Sequence, residues 1–379
     1  MRWGIAGYGD VVERRVLPAL RALGEEPVRL WGRDGQRAAR VAARHGVPFG
    51  GADVEMLIRG IDAVYVATPV VHHVPLAGRV LRAGLPVLVE KPLAGGLWAG
   101  AGVGGGARSG AGVEGGRHPE FGVGGGSYAS FVADDGPCAG VAYYRRLAPA
   151  VLRLREELRG WTPERAEVRF RCAFDPGPGH PMRWRTDPAL SGGGVLADAG
   201  SHRLDLLHLL FGRPEEVRAR LDRRFPEGAE RLAEVELRWA SGTRARVCAE
   251  WSGEPPVDRF EVSGGGRTLT LDPLDSGRLR HHGTARERQL TLPPAANPHQ
   301  PLIADFVAAV AAGRPPVCPL AQAHLVDEVL VAAARSDATG GGPVRLSLPA
   351  DAVLAGRAGA QAPSSADQAR SHRGSGVSD

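Results

Sequence analysis

Lysine is nearly absent from this chain of 379 residues, in which only one of the 47 basic residues, Lys91, is a lysine. Because arginine meets every other need for positive charge, we expect the single ammonium group to serve a specific chemical purpose. The arginines alternate with acidic residues, as in REELRGWTPER, and form no continuous basic stripe despite a net charge of +5. This pattern favours a solvated, arginine-rich surface and no nucleic-acid partner.

Cysteine and long apolar runs are also scarce. The four cysteines lie far apart, without a C-x-x-C pair or a histidine pair at ligand spacing, so neither a disulfide framework nor a metal site is predicted. No apolar run approaches the roughly 20 residues that span a bilayer. The opening residues, MRWGIAGYGD, lack the basic and apolar regions of a secretory leader. We therefore expect a cytoplasmic protein with no membrane partner.

The first part of the chain alternates apolar runs with amphipathic segments. RWGIA, PVRLW, AVYVATP and PVLVEKP are apolar on both faces, and segments with apolar residues at helical spacing separate them. Strands that are buried on both faces and alternate with helices predict a doubly wound parallel sheet, an α/β domain spanning residues 1–145. VAYYRR, residues 141–146, would end a fifth strand.

From about residue 165 the apolar period changes to two. RAEVRFRCAF, RLAEVELRWA and TRARVCAEW alternate apolar and polar residues, and RFEV-SGGG-RTLTL predicts a hairpin. We predict an α+β domain over residues 146–350 with a large, open, mostly antiparallel sheet, closed by the helices PLIADFVAAVAAG and AHLVDEVLVAAARS. Residues 356–379 are small and polar, and we predict a disordered tail there.

Three glycine-rich stretches compete as dinucleotide-binding loops. GAGVGGGA at residues 100–107 and GAGVEG at 110–115 satisfy G-x-G-x-x-G, but neither follows a strand or opens an amphipathic helix. GYGDVV has Gly7 and Gly9 and places Val12 where the third glycine belongs. It nevertheless follows a strand and opens a helix, a geometry that directs helix N-terminal amides at a pyrophosphate. We therefore assign the cofactor to this loop, including Asp10 and Val11.

A glycine-rich segment occupies the place where a doubly wound domain needs a crossover helix. Between residues 95 and 126, 15 of 32 residues are glycine, and each costs roughly 1 kcal/mol against alanine in a helix interior. We predict no stable helix there. Residues 95–137 are interpreted as an insertion or as a stretch read in a shifted frame.

The end of the second strand bears on the choice between NAD and NADP. In L-W-G-R-D, Gly32 stands where an acid normally binds the ribose 2′-hydroxyl, and Arg33 follows it. A guanidinium there suits a 2′-phosphate and favours NADP modestly over NAD. Asp34 could reach the ribose instead, so both cofactors stay open.

Two longer motifs carry a family resemblance. DAVYVATPVVHH followed by EKP, and WRTDPALSGGGVLADAGSHRLD, resemble the Gfo/Idh/MocA family of glucose-fructose oxidoreductases and inositol dehydrogenases, over residues 2–94 and about 139–340. The resemblance implies an N-terminal Rossmann domain and a C-terminal sheet that shields the nicotinamide. It also implies a sugar, cyclitol or related polyol as substrate, NAD(P) as cofactor, and a homodimer or homotetramer formed through the C-terminal sheet.

The second motif places three polar residues on one helix face. If residues 198–211 are helical, Asp198, His202 and Asp205 lie one above another. Oxidation of an alcohol by nicotinamide needs a base for the hydroxyl proton and a fixed positive charge near the developing alkoxide. His202, titrating near neutrality, is the natural base. Lys91 would supply the charge, and Asp198 would orient the substrate or the imidazole.

The resemblance implies the same catalytic set of Lys91, Asp198 and His202, with Asp205 as a support behind them. It extends the site to further positions. The expected cofactor-binding residues are Gly7, Gly9, Asp10, Val11, Arg33, Thr68, Pro69, His73, Glu90, Lys91, Trp184 and Arg185, and the expected substrate-binding residues are Tyr144, Arg145, Asp198 and His202.

The sequence therefore predicts an NAD(P)-dependent oxidoreductase acting on CH–OH groups. A non-catalytic regulator that binds NAD(P) on the same fold is the alternative, because a shared fold does not establish an activity. A sensor has less need of the Lys91, Asp198 and His202 constellation, which favours the enzyme.

Overall fold

A computed structural model of the chain describes residues 1–100, 136–283 and 287–346. The features below lie in the unit Met1–Arg345. Most of the segment predicted as an insertion and the whole predicted tail fall outside the described residues, and so do the two rejected glycine motifs apart from Gly100. Those predictions stay predictions.

A parallel six-stranded sheet begins the fold and confirms the predicted Rossmann arrangement. The strand order is β3-β2-β1-β4-β5-β6, and all five neighbouring pairs are parallel. The strands are β1 (Arg2–Ala6), β2 (Glu26–Trp31), β3 (Phe49–Gly51), β4 (Ala63–Val66), β5 (Val87–Val89) and β6 (Ala139–Val141). VAYYRR was expected to end a fifth strand, but the strand at this place, β6, is the sixth of the sheet. The uncounted strand is β3, which has two glycines in three residues and therefore shows no apolar run.

Helices connect these strands at the predicted places. A π-helical turn (Val12–Val16) continues as α1 (Leu17–Ala22), and α2 (Gly35–Arg44), α3 (Val54–Ile58) and α4 (His73–Arg82) follow. Asp34 caps α2, since its carboxylate accepts the N–H of Arg37 at 2.9 Å. The short helix α3 was not predicted.

The second sheet has nine strands in the order β14-β13-β12-β11-β7-β10-β9-β8-β15. Its neighbours are antiparallel except for β7 and β10, so the mostly antiparallel prediction is confirmed. The strands are β7 (Arg165–Cys172), β8 (Glu216–Arg224), β9 (Glu230–Arg238), β10 (Arg244–Trp251), β11 (Val257–Gly264), β12 (Arg267–Leu271), β13 (Arg278–His282), β14 (Arg288–Thr291) and β15 (Val344–Arg345). The predicted hairpin is β11 and β12, whereas β8, β13, β14 and β15 were missed.

Within the described residues, five α-helices follow β6 along the chain. They are α5 (Pro149–Glu157), α6 (Pro188–Ser191), α7 (Ser201–Phe211), α8 (His299–Ala312) and α9 (Leu320–Ala338). Helix α8 does not stay with the second sheet, because Phe306 packs against Trp3 of β1 with ring centroids 5.8 Å apart. Leu302 and Ile303 lie in the same buried cluster. The chain thus returns to the parallel sheet late in the sequence and brings the start of α8 to the ends of its strands.

The two faces of the nine-stranded sheet differ sharply. Val168, Val235 and Val247 point to the buried face, while arginines and glutamates alternate on the other, where the guanidinium of Arg246 lies 3.1 Å from the carboxylate of Glu236. The second face is uncovered within the described residues. Across those residues the helices include none long and apolar enough to cross a membrane.

Candidate active site

The first glycine loop connects β1 to the first helix. Gly7 has φ +115°, and a β-carbon there would collide with the carbonyl oxygen of Ala67 in the loop after β4. No atom lies within 4 Å of the β-carbon position of Gly9, and its carbonyl accepts the N–H groups of Val12 and Glu13 at 3.0 and 3.2 Å. The loop thus packs against the loop after β4 at Gly7 and is open at Gly9. This geometry fits a pyrophosphate bound at a helix N-terminus.

The residues after the loop divide between surface and core. Asp10 is exposed and pairs with Arg14 at 2.6 Å, while Val11 packs against the core of the parallel sheet. Val12, at the third glycine position, is fully buried in that core. The valine therefore packs inward and leaves the open space at Gly9 untouched.

The ring of Tyr8 covers Gly32 at the end of β2. A β-carbon at residue 32 would collide with this ring, so no acidic side chain fits there while Tyr8 keeps its place. Asp34, whose carboxylate caps α2, is engaged as well. Arg33 is exposed, and the guanidinium of Arg37 lies 5.0 Å from the Tyr8 ring centroid. Positive charge therefore dominates the end of β2.

His73 ties together the loops that follow β4 and β5. It is 1% exposed, and its Nδ1 and Nε2 lie 2.9 and 2.8 Å from the carbonyl oxygens of Pro92 and Thr68. Pro69 precedes the short helical turn that leads into α4. The structure thus places His73 beneath the two loops as a positioning residue, while the buried hydroxyl oxygen of Thr68 has no hydrogen-bond partner among the described residues.

Glu90, at the end of β5, collects several hydrogen bonds. Its Oε1 accepts from the hydroxyl of Tyr65 at 2.8 Å and lies 3.2 Å from Nε2 of His299, and its Oε2 accepts the N–H of Lys91 at 3.2 Å. Burial alone would raise the pKa of Glu90, but His299, Lys91 and Tyr65 lower it to about 2. Glu90 is therefore an ionised carboxylate that fixes the loop on which the lysine stands.

Lys91 reaches across from the E-K-P loop to the second motif. Its Nζ donates to the backbone oxygen of Asp198 at 2.8 Å and to Oδ1 at 3.0 Å. The other carboxylate oxygen accepts from Nη1 of Arg185 at 2.8 Å, and the Arg185 guanidinium lies 5.4 Å from the ring of Trp184. Burial would raise the pKa of Asp198, but the charges and hydrogen bonds of Lys91 and Arg185 lower it to about 2. The two cations share one ionised carboxylate.

The carboxylate of a buried glutamate, Glu230, binds amides at the start of the helix that carries Asp198. The carboxylate of Glu230 accepts the N–H groups of Gly194 and Leu196 at 2.8 and 3.0 Å, and a β-carbon at Gly194 would collide with the Glu230 backbone. A π-helical turn (Leu196–Gly200) then leads into α7. The predicted helix over residues 198–211 is confirmed, and a glutamate from β9 satisfies its first amides.

His202 lies buried among aromatic rings. The rings of Tyr143 and Tyr144 meet its imidazole edge-on at centroid distances of 5.7 and 4.9 Å. Burial, followed by the charges of Arg145 and Lys91, lowers the pKa of His202 well below the usual value. The expectation that it titrates near neutrality is therefore wrong, because a buried imidazole surrounded by cations disfavours its own charged form. Asp198 bonds Lys91 and Arg185 instead of this imidazole.

Asp205 forms a buried ion pair behind the site. The guanidinium of Arg146 donates to both carboxylate oxygens from Nε at 2.9 and 3.0 Å and to Oδ1 from Nη2 at 2.6 Å. Arg146 also donates to the carbonyl of Val317 at 3.1 Å and bonds the side chain of Gln322. The pair ties α7 to the end of β6 and to the segment before α9, a placement that matches the expected support.

Tyr144 and Arg145 occupy the turn that follows β6. The Tyr144 ring lies 5.1 Å from the ring of His299, and Arg145 pairs bidentately with Asp275 at 2.8 and 2.6 Å. Sequence reasoning did not identify His299, Tyr65 or Asp275, the carboxylate that pairs with Arg145. The only signal for His299 was its place at the start of a closing helix, since nothing local shows that α8 returns to the first sheet.

The structure thus gathers Lys91, Asp198, His202, Arg185 and Tyr144 at one place, between the ends of the parallel strands and α7. Gly7, Gly9 and Arg33 lie at the ends of β1 and β2, where a dinucleotide would extend from them. Within the described ranges, no group of three or more histidine, cysteine or acidic side chains could hold a metal ion.

Comparison with known families agrees with this architecture. Residues 1–100 match the model of an oxidoreductase family with an NAD-binding Rossmann fold, and residues 162–270 match the GFO/IDH/MocA C-terminal domain. The two matches cover the glycine loop, the E-K-P loop and the helix with Asp198 and His202.

Individual proteins resemble the chain over different lengths. An oxidoreductase P35 of Formosa agariphila is 28% identical over 226 residues, 58% of this chain and 63% of that protein, so the match spans less than two thirds of it. A 1,5-anhydro-D-fructose reductase of Ensifer adhaerens is 27% identical over 82% of this chain and 88% of its own. The crystal structure of an oxidoreductase domain protein from Kribbella flavida has a TM-score of 0.73 at 22% identity, covering 91% of this chain and 99% of that one. This last likeness concerns the fold.

Proposed function

The chain belongs to the GFO/IDH/MocA family of NAD(P)-dependent oxidoreductases, and we propose that it transfers a hydride between nicotinamide and a hydroxyl or keto carbon of a sugar, a cyclitol or a related polyol. A sugar-derived substrate is supported by the relative from Ensifer adhaerens, which is named for the reduction of 1,5-anhydro-D-fructose.

The main support for the proposal is the contact between Lys91 and Asp198. The only lysine of the chain is fixed by two hydrogen bonds to Asp198, four residues before His202 on one helical segment. A fixed cation and a neutral imidazole thus lie together beside the loops that would hold the nicotinamide. Dehydrogenation of an alcohol needs these two functions.

Each residue of the site has its own role in the proposed reaction. When bound, NAD(P) would supply the hydride chemistry. Gly7 and Gly9 would hold its pyrophosphate. Lys91 stabilises the negative charge that develops on the substrate oxygen, and Asp198 with Arg185 keeps the ammonium in place. His202 takes the hydroxyl proton on an imidazole nitrogen during oxidation and returns it during reduction, and its depressed pKa keeps it in the accepting form at neutral pH.

Lys91→Met tests the cation. Removing an oriented positive group from an oxyanion site typically costs about 100- to 1,000-fold in kcat, so turnover of the best polyol at 340 nm should fall by that factor. The Kd for NAD(P)H, measured by fluorescence, should change by less than about threefold. Arg155→Met, at an exposed position on α5, is the control and should keep wild-type turnover. Turnover of Lys91→Met close to wild type would remove Lys91 from the mechanism, and a wild type that binds cofactor but turns over no polyol would favour the regulator.

His202→Asn tests the base. Because the folded pKa lies below the ordinary value, the basic form persists through neutrality and is lost only as pH falls through that lower pKa. We expect wild-type kcat/KM for oxidation to stay level from pH 6 to 8 and to fall below that range. The variant should lose roughly 100- to 10,000-fold and show no acid limb from the imidazole. An unchanged profile in the variant would contradict this role.

The end of β2 supports NADP as the preferred cofactor. Tyr8 excludes an acidic side chain at Gly32, and Arg33 is exposed beside it. Arg33→Ala should lower kcat/KM for NADP by about 10- to 100-fold, equivalent to one or two charge-assisted hydrogen bonds, and leave that for NAD unchanged. Arg40→Ala, exposed on α2, is the matched control. Equal losses with both cofactors would refute a contact with the 2′-phosphate.

We also propose that the uncovered face of the nine-stranded sheet joins two copies of the chain. Its alternating Arg and Glu residues, such as Arg246 and Glu236, make the face complementary to itself in charge. Light scattering should give the mass of a dimer or tetramer for the wild type and a smaller mass for Glu236→Arg. Glu254→Arg, at an exposed loop position, should keep the wild-type mass. A monomeric wild type would refute the interface.

A further inference from the structure

Two buried arginines flank His202, and the first is Arg145. Its side chain is 9% exposed, and its guanidinium lies 4.9 Å from the ring centroid of Tyr144, the ring that also contacts the His202 imidazole. Nε and Nη2 donate to Asp275, whose side chain is 49% exposed. The cation is therefore inside, and its partner lies toward the surface.

The second buried arginine is Arg203. Its side chain is 2% exposed and stacks over Phe170 with the guanidinium 4.2 Å from the ring centroid. Nη2 donates to Asp258 at 2.6 Å, and Nη1 donates to the carbonyl of Ala199 at 2.8 Å. As with Arg145, the guanidinium is more deeply buried than the carboxylate that balances it.

Three buried polar atoms in this region have no hydrogen-bond partner. Within the described residues, they are Nη1 of Arg145, Nε of Arg203 and Nδ1 of His202. Arg145, Arg203 and His202 are each more than nine-tenths buried. Buried polar atoms in folded proteins are nearly always paired, so the two unpaired guanidinium donors indicate a missing acceptor.

The charges around His202 point to the sign of that acceptor. Burial and then the charge of Arg145 lower the pKa of Arg203, while Asp258 and Asp275 raise it. Burial, followed by the charges of Arg145, Lys91 and Arg203, lowers the pKa of His202. Like charges held together in a buried site favour an anion between them.

We propose that the substrate carries an anionic group, a carboxylate or a phosphate, which Arg145 and Arg203 bind beside His202. The inference rests on the proposed oxidoreductase function and narrows its substrate to acidic or phosphorylated sugars. Guanidinium groups recognise both anions through parallel N–H donors. We assign the pyrophosphate of the cofactor to the glycine loop after β1, so the anion bound by Arg145 and Arg203 is a separate group.

Calorimetric titration of the enzyme saturated with NADPH tests the inference without requiring turnover. D-glucose, D-glucuronate and D-glucose 6-phosphate share one ring and differ at C6. We expect at least one anion to bind at least tenfold more tightly than glucose, and the tighter of the two identifies carboxylate or phosphate as the recognised group. Oxidation of the same three compounds at 340 nm should follow the same order in kcat/KM.

Substitutions then locate the subsite. Arg145→Gln and Arg203→Gln should each reduce the preference for the anion over glucose by at least tenfold, whereas Arg155→Gln, at an exposed position on α5, should leave it unchanged. Asp275→Asn removes the carboxylate that competes for Arg145 and should increase anion affinity at least threefold. A gain of binding does not arise from misfolding, so this variant decides the matter if the arginine variants fail to fold.

Several outcomes would overturn the inference. They are equal binding of glucose and both anions, no binding of any probe, a preference that survives both arginine substitutions, and no gain in Asp275→Asn. Tight anion binding without NAD(P) reduction by any compound would instead support the anionic subsite and count against the proposed oxidoreductase function.

Discussion

The shared carboxylate of Asp198 is the interaction on which the site depends. It binds the ammonium of Lys91 from the E-K-P loop and the guanidinium of Arg185 from the segment before α6. These three groups come from separate parts of the chain, and one ionised side chain fixes their relative positions. Removing the carboxylate would leave the largely buried Lys91 ammonium and the partly exposed Arg185 guanidinium without their shared counter-ion. The contact that joins the loop to the helix therefore also fixes the position of the Lys91 ammonium.

Other buried charges repeat this arrangement around the site. Glu90 accepts hydrogen bonds from Tyr65 and His299 and holds the E-K-P loop in place. The ion pair of Asp205 and Arg146 connects α7 to the end of β6. A buried ion pair adds little net stability compared with apolar packing, but it selects one geometry because each alternative leaves a charge unpaired. His202 is the exception, since aromatic rings and cations surround it and no carboxylate in the described part of the chain forms a hydrogen bond or ion pair with it. A neutral, accepting imidazole results.

Sequence reasoning succeeded where the signal is local and periodic. Apolar runs predicted the parallel strands other than β3, and alternation predicted β7, β9, β10 and the β11–β12 hairpin. The strand-loop-helix context favoured GYGDVV over two better matches to the glycine pattern, and the open space at Gly9 agrees with that choice. Short or arginine-rich strands such as β3 and β8 were missed because three residues, or apolar positions separated by arginines, give too weak a period.

The sequence by itself determined the fold class and the family, and it predicted the residues of the proposed catalytic constellation. Those features depend on residue types at fixed spacing, which a single chain displays directly. Tertiary structure alone decided the partners: Asp198 binds Lys91 and Arg185, His299 returns on α8 to Glu90, and Arg145 and Arg203 approach His202. The protonation state of His202 also belongs to the tertiary structure, because a pKa depends on burial and on charges that are distant in sequence.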